Sequence, residues 1–96
     1  MAVGDIFNII PTSVENNATL DIRPSSGQEA VIHNIYYSNS VEFYITNGTN
    51  SIKFDSDSTL GARLCMCFHV TNTIYIQIKN VSGSVIYVSY DGVVTK

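Results

Sequence analysis

Four side chains capable of metal or proton chemistry occupy alternate positions of one short stretch. Arg63, Cys65, Cys67 and His69 alternate with Leu64, Met66, Phe68 and Val70. On a strand, side chains two apart share a face, so the four would form one row. By type, Cys-x-Cys-x-His is a zinc set, because zinc takes thiolate sulfur and imidazole nitrogen. The spacing argues against it: zinc needs donors converged at roughly 2.0–2.3 Å from one centre, and ligands along a straight strand diverge. There is no third cysteine, and the one other histidine is His33. A disulfide between Cys65 and Cys67 is disfavoured too, since same-face neighbours on a regular strand stand about 7 Å apart. The pair therefore reads as reduced thiols made in a reducing compartment. The plainest expectation is that both are small, buried, apolar groups. That would bury a 62–70 strand on both faces, which one sandwich core does not explain and a subunit contact would.

The remaining chemical candidates are weaker. Asp55-x-Asp57 resembles a calcium ligand pair, but calcium takes six to eight oxygens, usually from several acidic residues with a glycine at a set place. Flanked by Ser56 and Ser58, the pair reads as a solvated turn. His33 falls in a long apolar run and reads as a core or interface histidine bonded to backbone. There is no Gly-x-Ser-x-Gly, no P-loop and no Gly-x-Gly-x-x-Gly, so the nucleophile elbow and both phosphate-binding loops are missing. Eleven serines make a chance Ser/His/Asp triple inevitable. Paired carboxylates for glycoside hydrolysis would need a cleft that so small a sandwich rarely has. The expectation is a non-enzymatic protein with no catalytic residue, no metal and no cofactor.

Elements that would position these residues follow from side-chain type. The 96 residues include 12 Ile, 10 Val and 8 Thr but only 3 Leu and 4 Ala. β-branched side chains suit pleated surfaces and lose rotamer freedom in helices. Runs of period two fall at 6–10, 19–23, 29–38, 41–46, 51–54, 62–70, 74–79 and 85–90, with a terminal stub at 93–95. Pro11 and Pro24 stop two runs, and Asn47-Gly48 is a strong hairpin signal. Short connections between runs imply antiparallel neighbours. The predicted fold is all-β: a compact antiparallel β-sandwich, jelly-roll-like, of about eight short strands in a single domain spanning 1–96.

Charge narrows the partners. Charged residues make up 14%, with five Lys+Arg against eight Asp+Glu and a net charge of −3, where soluble domains carry about 25%. So acidic a chain is a poor match for phosphates, which argues against nucleic acid. No apolar run approaches the roughly 20 residues of a membrane helix, and no basic start precedes a secretory core. Three sequons, at Asn17, Asn47 and Asn80, are expected by chance in a chain this rich in Asn, Ser and Thr. Alternation puts Tyr44, Tyr75 and Tyr87 on outward faces, joined by either Tyr36 or Tyr37. Outward tyrosines either pair across strands or form a contact surface. The candidate interface is Tyr44, Tyr75 and Tyr87 with Arg63, Cys65, Cys67 and His69.

The opening Met1-Ala2-Val3-Gly4-Asp5-Ile6 is similar to the start of several small bacteriophage virion proteins. The stretch from Gln28 through His33 to Tyr36 resembles their next strand. The ending resembles theirs too, from Val70-Thr71-Asn72-Thr73 through Asn80-Val81-Ser82-Gly83-Ser84 to Asp91-Gly92-Val93-Val94-Thr95-Lys96. The likeness covers most of the chain and is one of strand rhythm and turn type, without a diagnostic motif. It implies a small all-β phage structural protein, first of all a head decoration (capsid cement) protein. Such a protein would be made in the host cytoplasm and located in the virion. Its partners would be copies of itself, as trimer or dimer, and the major capsid protein or another virion protein. The alternatives are a phage tail, neck or fibre module, or a carbohydrate-binding sandwich using the outward tyrosines. Trp, the commonest sugar-stacking residue, is absent.

Overall fold

The computed structural model describes residues 2–96, so Met1 of the N-terminal stretch lies outside the described residues. Nine strands form it: β1 (Ile6–Val14), β2 (Thr19–Ile22), β3 (Glu29–Tyr37), β4 (Val41–Thr46), β5 (Ser51–Asp57), β6 (Gly61–Arg63), β7 (Phe68–Thr71), β8 (Tyr75–Asn80) and β9 (Ile86–Val94). No helix occurs among the described residues. The first sheet runs β1-β9-β3, with β6 and β7 both pairing the far side of β3, and the second runs β2-β8-β4-β5. All pairings are antiparallel. Most of them are nested: β1 with β9, β2 with β8, β3 with β6 and β7, β4 with β5. These are the pairings of one long hairpin rolled across two layers, which is a jelly roll.

The β-branched excess fills the space between the layers. Ile22, Ile32, Ile35, Val41, Phe43, Val70, Ile76, Ile78, Ile86, Val88 and Val94 are fully buried. They pack with Phe7, Tyr37 and Tyr90 in one cluster. Tyr37 of the first sheet meets Phe43 of the second edge-on, with centroids 5.5 Å apart.

Irregularities depart from the simple alternation. The 62–70 run is two strands, not one. Arg63 pairs Ile35 and Phe68 pairs Ile32, so five steps of one chain face three of the other, and the excess must leave the ladder. It does so at 64–67, where Cys65 takes a left-handed φ of 57°. His33 lies at a register shift of β3 against β9, between Ile32 and Asn34. Bulging turns it outward, so it is exposed rather than in the core. Its backbone oxygen accepts from Met66 N at 2.8 Å, and its Nδ1 lies 3.1 Å from Met66 O. β1 continues through Pro11 with a register shift between Ile9 and Thr12. Proline is tolerated there because β1 is an edge strand. β9 likewise runs straight through Asp91-Gly92, joining the 85–90 run to the 93–95 stub in one strand. Ile52, Phe54 and Ile74 fall on the apolar phase of the 51–54 and 74–79 runs, yet they are exposed. The first two lie on edge strand β5, where Ile52 pairs Ile45 and Phe54 touches Phe43 and Phe68 at ring-centre distances of 6.2 and 5.2 Å, so both sit at the uncovered margin of the core, and Ile74 closes the turn before β8.

Candidate interaction face

The seven residues singled out by alternation do not converge. Tyr75 shares the outward phase of β8 with Gln77 and Lys79 yet is only 4% exposed. The Arg23 guanidinium lies 4.5 Å above its ring, held there by Nε donating to Asn72 O at 2.7 Å. Tyr44 stands on the outer side of the second sheet and donates to Glu42 Oε1 at 2.5 Å. Tyr87 stands on the first sheet, 57% exposed. The three tyrosines thus make no common platform. His69 sits on β7, with Nε2 3.3 Å from Glu29 Oε1.

Cys65 and Cys67 are exposed free thiols, which corrects the expectation of buried ones. Met66 between them packs against the core instead. With the strand broken, the row of four ligand types is gone. No group of three or more metal-ligating side chains occurs among the described residues. Both thiols are expected to react fully with Ellman's reagent in the folded protein. Reaction only after denaturant is added would show them to be covered.

Arg63 does not face outward but crosses between the sheets. From β6 it donates Nε to Asp55 Oδ2 at 2.7 Å, Nη1 to Asp57 Oδ2 at 3.3 Å and to Tyr37 Oη at 2.9 Å, and Nη2 to Ser56 O at 3.2 Å. Tyr37 Oη donates to Asp57 Oδ2 at 2.6 Å. The guanidinium carbon lies 5.4 Å from the Phe43 ring centre. Asp55 and Asp57 belong to β5 rather than to a solvated loop, and an arginine fills the place a cation would take. β5 and β6 are edge strands of opposite sheets, so the network clamps one open side of the sandwich.

The hydrogen bond from Arg63 holds the Asp55 carboxyl below its usual range, and the bond from Tyr37 does the same for Asp57. Burial, then the bond to Asp57, pushes Tyr37 up to about 12. Both carboxylates ionise more readily folded than unfolded. They add stability above the unfolded value near ~3.9 and lose it as pH falls through their lower folded values. Tyr37 behaves oppositely: its contribution is complete below about 10 and is lost as pH rises toward the folded value. Arg63→Met is expected to cost about 1–2 kcal/mol near neutrality, discounted for partial exposure. It should also flatten the loss of stability between about pH 5 and about pH 2. Urea midpoints across that range check this, and parallel curves for parent and variant would refute the clamp.

The two broad outer faces differ in kind. The second sheet presents Asp21, Glu42, Lys53 and Lys79 beside Tyr44 and Gln77. Lys53 Nζ lies 3.0 Å from Glu42 Oε2, Gln77 donates to Asp21 at 2.9 Å, and Glu42 pairs Lys79 in register. Cross-strand charge pairs of this sort mark a solvated sheet. In the first sheet, β1, β9 and β3 together hold two formally charged side chains, Glu29 at the start of β3 and Asp91. Asp91 is already bonded, accepting from Asn34 Nδ2 at 2.6 Å and Tyr36 Oη at 2.9 Å. Around it Ile6, Ile10, Tyr36 and Tyr87 are exposed. A hollow of about 200 Å³ opens beside Pro11, Tyr36, Gly61 and Tyr87. Of the tyrosines singled out in the sequence, Tyr87 and the Tyr36 alternative belong to this face. Ile10 was missed, because its run was read as ending at Pro11. Comparison with protein-family models and with curated proteins finds no match to the chain.

Proposed function

We propose that this protein is a non-enzymatic structural component of a bacteriophage virion, decorating or stabilising the capsid through surface contacts. The observation that carries the reading is the nearly uncharged outer face of the first sheet. A surface that must stay free in water usually carries interspersed charge. Exposed aliphatic and tyrosyl side chains with few charges are the composition of the buried centre of an interface. A repeating shell lets many modest contacts act together, so no single deep pocket is needed. The resemblance of the chain's opening, third strand and ending to small phage virion proteins supplies the virion context.

Mass spectrometry and electron microscopy of purified virions, from the phage that carries the gene, test the proposal. The expected result is the chain in stoichiometric amounts and density for a 37 × 26 × 20 Å sandwich on the particle. Particles lacking the chain would overturn it.

A further inference from the structure

We propose that the uncharged face of the first sheet packs against the same face of a second copy, forming a closed two-fold dimer. The inference deepens the assembly role above and rests on it. Complementarity selects the occupant. Burying polar groups that lack hydrogen-bond partners is costly, and here the central carboxylate, Asp91, already accepts two hydrogen bonds from its own chain, from the Asn34 amide and the Tyr36 hydroxyl. The other broad face, with Asp21, Glu42, Lys53 and Lys79, does not match it. The first-sheet face matches itself.

Area and shape agree. The molecule's broad sides measure 37 × 26 Å, room for the ~800 Å² per partner that a standard stable interface buries. Ile10 is 79% exposed at the β1 irregularity and is followed directly by Pro11. Pro11 lines the hollow of about 200 Å³, with Tyr36, Ser38, Gly61, Tyr87 and Ser89. The same patch thus holds an apolar projection and a concavity next to it. In a two-fold contact residue i meets j while j meets i, so each Ile10 enters the partner's hollow between Tyr36 and Tyr87. Such a contact closes on itself and leaves no surface for fibre growth.

Sedimentation velocity of the full chain over the micromolar range tests this, with circular dichroism to confirm folding of each variant. The expected result is a species of twice the monomer mass. Ile10→Lys and Tyr87→Lys should each weaken it by roughly 30-fold or more, as for a central contact. Ile52→Lys, at a 67% exposed position on the second sheet's edge, should leave it intact. A monomer throughout, a trimer, or a dimer broken by Ile52→Lys alone would overturn the pairing. A monomer still found in purified virions would leave the assembly role standing. A dimer absent from virions would do the reverse.

Discussion

Gly92→Ala is expected to cost the fold at least about 3 kcal/mol, the upper end of overpacking penalties. Gly92 lies in β9, the strand between β1 and β3, and pairs Ile32 at the register shift of β3. A Cβ there would stand 2.0 Å from Val31 O and 2.9 Å from Ile32 Cα. Those are backbone atoms, so no rotamer change relieves the clash. The two strands would have to separate in the middle of the sheet, breaking ladder bonds while Ile32 and Val94 lose packing. For a domain of this size about 3 kcal/mol corresponds to a fall in Tm of roughly 12 °C or more. Urea and thermal melts followed by far-ultraviolet circular dichroism measure it. A loss under about 1 kcal/mol would mean that the close approach of the two backbones is not real.

The second large effect is expected at Asn80. Its side chain is fully buried where β8 of the second sheet ends beside β1 of the first. Nδ2 donates to Val14 O at 2.8 Å and Ser84 O at 2.6 Å, while Oδ1 accepts from Ser82 N at 2.9 Å and Ser82 Oγ at 2.8 Å. Every polar atom of the amide is used, and so are groups of three neighbouring residues. Asn80→Ala strips partners from a buried carbonyl and from the 81–84 turn, at a cost of about 3 kcal/mol. Asn80→Asp is expected to be worse near neutrality, because a carboxylate would face two carbonyl oxygens without a proton to share. Its deficit against the parent at equal pH should shrink in acid, where the protonated acid can donate once. An aspartate variant equal to the parent at pH 7 would refute the assigned amide orientation. The same burial closes the Asn80-Val81-Ser82 sequon in the folded chain.

Much of the fold was legible because its signals are local. Alternating Ile and Val located most strands, and Asn47-Gly48 marked the β4–β5 turn. Gly48 there has φ +92°, and Asn47 Oδ1 accepts from the backbone of Thr49 and Asn50. What failed was alternation carried past an irregularity. One extra residue can reverse the face of a side chain, and at the β3 irregularity it turns His33 out of its apolar run. Ile52, opposite Ile45, and Phe54, between Phe43 and Phe68, keep the core side and are exposed because edge strand β5 has no neighbour to cover them. The 62–70 run alternates without a flaw in sequence. It breaks because β3, its partner some thirty positions earlier, offers too few residues to pair with it. No reading of that segment alone contains this fact.

The interaction face was legible only as a deficit. Fourteen per cent charge is visible in composition, as are outward tyrosines. Which sheet lacks the charge is not, because sheet membership depends on pairings such as β1 with β9, formed between opposite ends of the chain. Residue types and their period of two are properties of neighbours along the chain, and they determined an all-β sandwich with little surface charge. Register, bulges and the crossing of Arg63 to Asp55 and Asp57 depend on contacts between distant segments. Tertiary structure alone therefore buried Tyr75, exposed Cys65 and Cys67, and gathered the missing charge on one side of the molecule.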